Sequence, residues 1–201
     1  MPRLCRRAAV PLAVLLMGLA LALPARAQSA AVTATDTRVL FDFTDRVKDD
    51  DGTYVVLRTR LVYDPVAGEY VQTTTYGDGR LRSRDVRAVY PIGPTPEEDA
   101  AARALIAGHP ELAALKRAAA HPVLVDGGFA LVREEGHGCG PGSRCLQYDV
   151  FEVVPGEAFG RRLRYVVVDL RHMTIFSADF DVVREGNLAH PDARRQSTHP
   201  Q

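Results

Sequence analysis

The chain has 201 residues, 46% of them apolar, and balances 25 Lys and Arg against 25 Asp and Glu for a formal net charge of zero. Its first 27 residues hold four arginines and no acid, so the remaining 174 carry 21 basic and 25 acidic side chains, a net of −4. That balance argues against a nucleic-acid or anionic-membrane partner, each of which selects a basic patch, and the length suits one domain, or two small ones, with a real core.

Arg3, Arg6 and Arg7 precede an apolar run from Val10 to Leu23, Pro24 breaks it, and Ala25-Arg26-Ala27 supplies a small-x-small cleavage pattern. The run falls short of the roughly 20 residues that a membrane span needs. Its flanks are those of a secretory signal, so the expectation is export to the periplasm or beyond, with cleavage between Ala27 and Gln28. Cys5 lies ahead of the apolar run and cannot be a lipid-bearing cysteine after the cleavage site. No second long apolar stretch follows, so the mature chain is not expected to be membrane-embedded. Its only cysteines are Cys139 and Cys145, an even number in an oxidising compartment, which favours a disulfide.

Residues 28–36 are small and polar and read as a disordered leader ahead of one domain over 37–184. Val39, Phe41 and Phe43 alternate with Leu40, Asp42 and Thr44, the period of a half-buried strand. A charged turn, Lys48 to Gly52, leads into Thr53–Tyr63, rich in Val, Thr, Tyr and Leu. Asp64-Pro65-Val66-Ala67-Gly68 has hairpin chemistry, because proline presets φ and glycine accepts a positive φ. Glu69–Tyr76 and Arg80–Tyr90, joined by Gly77-Asp78-Gly79, complete a four-stranded antiparallel meander over 37–90.

Pro91-Ile92-Gly93-Pro94 ends that meander and a helix begins. Thr95 is the expected N-cap, Pro96 occupies the first helical position, and Glu98 closes a Thr-x-x-Glu capping box. Ala101, Ala104, Leu105, Leu112 and Leu115 form the expected apolar stripe. Gly108-His109-Pro110 should kink or split the helix, with a second segment over Glu111–Ala120 that His121-Pro122 closes. Strands follow at Val123–Glu135, Leu146–Val154, Arg161–Leu170 and Thr174–Val183. Val166, Val167 and Val168 are apolar at both parities, which predicts a strand covered on both faces. Residues 185–201 are polar and read as a flexible tail. With no alternating βαβ units, the expected fold is α+β: an antiparallel meander sheet of about eight strands packed on one kinked or split helix.

A capped helix followed by four antiparallel strands is the plan of cystatin-like domains. The stretch from TPEEDAAARALI through RRLRYVVVDLRHMTIFSADF, over residues 95–183, resembles the small N-terminal domains of copper amine oxidases and exported modules of the PepSY type. In copper amine oxidases these domains are appendages to a separate catalytic domain, whose chemistry needs an Asn-Tyr-acid motif and a His-x-His pair. Here the one asparagine, Asn187, precedes Leu188, and no His-x-His occurs. The resemblance therefore implies a non-catalytic accessory domain and carries over no catalytic residue.

Cys139 and Cys145 bracket Gly-Pro-Gly-Ser-Arg, and a disulfide closing so short a loop contributes about 2–2.5 kcal/mol on the chain-entropy account. The same loop, with His137 and an exposed Arg144 as anchors, is a candidate recognition element for a protein or small ligand in the cell envelope. His137, Cys139, Cys145 and His172-Met173 contain the donor types of a copper or zinc site, but no paired Cys-x-x-Cys spacing supports one, so no resident metal or cofactor is expected and copper or zinc handling stays a lesser alternative. A hydrolase alternative rests on Asp169, Asp179 and Asp181, the last two sharing a strand parity, but Ser143 and Ser177 lack the Gly-x-Ser-x-Gly turn that activates a nucleophile. Arg80, Arg82, Arg84, Arg87, Arg161, Arg162 and Arg164 suggest either an anionic groove or the wet faces of strands, and the interspersed acids favour the second. The leading expectation is a non-enzymatic binding or accessory domain.

Overall fold

The structure, a computed structural model, describes residues 32–157 and 160–180. The expected signal segment with its cleavage site, most of the leader, Asp181 and the tail lie outside the described residues. The element order is β1 (Arg38–Lys48), β2 (Tyr54–Asp64), β3 (Glu69–Tyr76), β4 (Leu81–Arg87), α1 (Pro96–Gly108), α2 (Pro110–Ala118), β5 (Val123–Leu131), β6 (Cys145–Glu152), β7 (Arg161–Asp169) and β8 (Thr174–Ser177). The fold is α+β, with two four-stranded antiparallel sheets, each running in sequence order.

Two sheets replace the single expected one, and the apolar faces of the helices pack on the second. Pro91 and Pro94 flank the break between them, and prolines lack the N–H that a ladder needs, so the chain leaves the first sheet without pairing to the second. Ala102 and Ile106 of α1 and Leu112 of α2 pack on Leu146, Tyr148, Val150, Val166, Val168 and Leu170 of the β6–β7 region. The opposite face buries Val167 with Leu131, Phe180 and the two cysteines. Val166, Val167 and Val168 are each 0% exposed, as their double apolar parity predicts. A fully buried side chain of this kind contributes about 1.5–3 kcal/mol, so the second sheet holds most of the apolar stabilisation.

The helix start follows the sequence. Thr95 Oγ1 accepts from the Glu98 N–H at 3.2 Å, and Glu98 Oε2 accepts from the Thr95 N–H at 3.1 Å, which is the reciprocal capping box. The split also falls where expected, with His109 as C-cap of α1 and N-cap of α2. The buried face of α1 differs from the expected stripe: it is Glu98, Ala102 and Ile106, spaced four apart, while Ala104 is exposed and Ala101 half-buried. A charged residue leads that face, so a purely apolar periodicity shifts the stripe by one position.

The first sheet carries no helix. Its buried cluster is Leu61, Tyr63 and Tyr70, flanked by Leu40, Phe41, Tyr90 and Ile92, all at one end of the sheet. The Tyr63 and Tyr70 rings lie 4.7 Å apart. Further along the same face Phe43 is 51% exposed.

Candidate functional site

Cys139 and Cys145 form the expected disulfide, and both are buried. The loop that they bracket turns inward and fastens the first sheet to the second. Gly142 C=O accepts from the Tyr63 hydroxyl at 3.0 Å, Ser143 C=O accepts from the Tyr70 hydroxyl at 2.8 Å, and Gly142 N–H donates to Ala88 C=O at 2.6 Å. Burial pushes the Tyr63 and Tyr70 hydroxyls up, which keeps both as protonated donors. Arg171, in the β7–β8 turn, donates to Pro65 C=O, Val66 C=O and Gly142 C=O. The backbones meet closely here: a Cβ on Gly68 (φ +69) would lie 3.0 Å from Gly142 O, and one on Gly142 (φ +80) 3.1 Å from Gly68 O. Both positions require glycine on grounds of conformation and of space.

Arg144 corrects the expectation of an exposed anchor, because it is 2% exposed. Its Nη2 and Nε meet Glu98 Oε2 and Oε1 at 2.7 and 3.2 Å, a two-pronged pair, and its Nη1 and Nη2 donate to Ile92 C=O and Gly93 C=O. Arg38 of β1 approaches the same carboxylate at 3.4 Å from the other sheet, and its Nη2 donates to Leu170 C=O at 2.6 Å. Burial pushes the Glu98 carboxyl up, but the hydrogen bond and charge of Arg144, the Thr95 N–H and the Arg38 charge outweigh it and hold it below the usual glutamate range. Arg144 turns inward because a carboxylate and two carbonyls await it there. Sequence inspection misses this triad, although a glutamate four residues before the buried Ala102 and eight before Ile106 was its signal.

His137 is half-buried, its Nδ1 accepts from the Cys139 N–H at 3.0 Å, and its ring lies 5.2 Å from that of Phe176. Both cysteine sulfurs are spent on each other, and among the described residues no group of three or more His, Cys, Asp or Glu side chains is placed to hold a metal ion. Asp169, the last residue of β7, is buried; it accepts from the Arg171 and His172 N–H groups of the following turn and meets His172 Nδ1. No serine hydroxyl is hydrogen-bonded to His172 among the described residues. Strand β8 ends at Ser177, so Asp179 lies beyond it, largely exposed and paired to Arg164, and the parity argument for the late aspartates does not hold. The scattered arginines are mostly matched: Arg80, Arg82, Arg87, Arg161 and Arg162 pair with Asp78, Asp49, Asp85, Glu152 and Asp149. Arg84 is exposed and has no ion-pair partner among the described residues.

A concavity lies elsewhere among the described residues. A groove of about 690 Å³ runs between α1 and β8, with Ala100, Ala101, Ala104 and Leu105 on one wall and Met173 and Ile175 on the other. Glu97 and His109 stand at its margin. Alanines on the helix wall leave the space open. Met173 adopts φ +54, a left-handed conformation uncommon for a residue with a side chain, at the point where the turn enters β8. Strand β8 is last in its sheet, so its outer edge has no strand partner among the described residues. None of these groove residues carries a motif; Ala101 and Ala104 read as core in the sequence because an apolar face without a cover looks like one with a cover. No helix among the described residues is long and apolar enough to cross a membrane.

No protein-family model matches the chain, and a comparison with curated proteins finds no match.

Proposed function

We propose that the chain is an exported, non-catalytic binding or accessory domain on a cystatin-like plan, and that its ligand site is the α1–β8 groove. One observation carries the reading: an apolar trough of about 690 Å³ beside a strand edge without a partner among the described residues. The ligand that satisfies both is an extended peptide segment of another envelope protein. Its main chain adds to the β8 edge, and its alternate apolar side chains enter the trough. The disulfide loop serves to hold the domain together and the recognition surface is the groove. The signal-like N-terminus and the disulfide support export.

Fluorescence anisotropy with labelled peptides alternating Val or Leu with Ser or Thr tests the reading. Ala104→Phe fills the trough from an exposed helix position, so the fold persists and peptide affinity falls about tenfold, as expected for loss of a central apolar contact. N-methylation of alternate peptide amides also weakens binding, because strand addition needs those N–H groups. If no peptide binds, or Ala104→Phe and N-methylation change nothing, the groove is not the site.

A further inference from the structure

A second surface stands out on the first sheet, on the face away from Tyr63 and Tyr70. Arg60 pairs in register with Thr73, and Thr73 with Arg84, so the three side chains form one row across β2, β3 and β4. Arg58 pairs with Thr75 in the neighbouring row, two residues along the strands. A shallow depression of about 460 Å³ has Arg58, Arg60, Thr73 and Thr75 in its wall, with Asp64 at one side, whose carboxylate already accepts from the Val66 and Ala67 N–H groups; Arg84 lies in the same row outside that wall.

The charges on this face are unequally satisfied. Arg58 grips Asp42 through two hydrogen bonds of 2.7 and 2.6 Å. Arg60 reaches the same carboxylate only at 3.8 Å, and its side chain is 51% exposed. Arg84 has no ion-pair partner among the described residues and is exposed. Two strand spacings, about 9.6 Å, separate the backbones of Arg60 and Arg84, so both guanidinium forks can close on an oxyanion held over the Thr73 hydroxyl.

The geometry points to this face as a docking surface for an acidic polysaccharide, a polymer bearing carboxylates among hydroxyls. Charge complementarity supplies the first argument, and the mosaic supplies the second. Arginine forks answer carboxylates, while the threonine hydroxyls of the same rows answer sugar hydroxyls. The depression is open and runs over a sheet face, which suits an extended chain. A bilayer surface fits less well, because Asp50 and Asp51 are exposed in the β1–β2 turn at the end of the same sheet and would meet anionic headgroups. An acidic peptide fits less well too, since an extended peptide seeks a strand edge for its main chain.

Titration of the full chain with polygalacturonate at low salt, followed by calorimetry, tests this. Binding is expected, is expected to weaken as salt rises, and is expected to fall about tenfold in the Arg60→Gln/Arg84→Gln double variant, the loss expected for charge-assisted hydrogen bonds at two exposed positions. Lys116→Gln/Arg117→Gln, on α2, where both side chains are exposed and have no ion-pair partner among the described residues, should bind like the native chain. Unchanged circular dichroism and melting temperature in both variants secure the comparison. Absence of binding, or equal loss in both double variants, overturns the assignment. So does binding of polyglutamate or of phosphatidylglycerol vesicles as tight as that of polygalacturonate.

Discussion

The two sheets of this molecule have the same strand order and antiparallel pairing but are held in different ways. The β5–β8 sheet is a layer with apolar material on both sides, α1 and α2 on one face and the disulfide loop with Phe180 on the other. The β1–β4 sheet has an apolar cluster only at the end that meets its neighbour. There it is fastened by polar contacts: two tyrosine hydroxyls on the disulfide loop, Arg171 on the β2–β3 turn, and Arg38 on Glu98 and Leu170. The difference teaches that a sheet without a helix can be positioned by directional bonds at one end, leaving its faces available to solvent and ligands.

The largest expected effect comes from the carboxylate common to both sheets. Glu98→Ala leaves the Arg38 and Arg144 guanidiniums without their counter-charge and removes half of the capping box. A loss of about 3–5 kcal/mol in urea unfolding is expected for breaking a buried pair from one side. Acid reports the same contact. The folded-state pKa of Glu98 lies below its ordinary value of 4.5, so on acidification the unfolded chain takes up the proton first. The stabilisation is fully present above that value and is lost as pH falls through the folded pKa. A stability profile from pH 6 downward should therefore decline less steeply at low pH in Glu98→Gln than in the native chain, and parallel profiles would separate Glu98 from the acid response.

A smaller effect distinguishes the two sheets directly. Replacing Cys139 and Cys145 by serine should cost about 2–2.5 kcal/mol by the loop-entropy account. More telling is its distribution: hydrogen-exchange protection should fall further in β1–β4 than in β6 and β7, because the loop fastens the first sheet. An equal fall across both sheets would show that the loop does not fasten the first sheet in particular. The smallest effect is that of Tyr70→Phe, which deprives Ser143 C=O of its 2.8 Å donor and should cost about 1 kcal/mol in chemical denaturation.

Much of this architecture was legible. Turn chemistry at Asp64–Gly68, the capping box at Thr95–Glu98, the split at His109-Pro110 and the double parity of Val166–Val168 are local signals, and each appears in the structure. What was not legible depends on distant partners. The burial of Arg144 depends on a carboxylate 46 positions away, so a loop arginine that reads as solvent-facing becomes core. The division into two sheets depends on pairings that prolines prevent without saying where the chain goes next. The groove was illegible for a different reason: its alanines have the pattern of a covered helix face, and only the position of β8 leaves part of that face uncovered.

Arg38 bonds to Leu170, 132 positions further along the chain. A polypeptide emerging amino end first therefore completes all four strands of its first meander well before the carbonyl that anchors it exists. During that interval Tyr63, Tyr70 and Phe41 are sheltered only by neighbours from their own stretch of chain, such as Leu40, Leu61 and Tyr90, and local pairing between consecutive strands must hold the meander unaided. Order of emergence and order of docking are thus opposed in this chain: the part made first is the last to be secured.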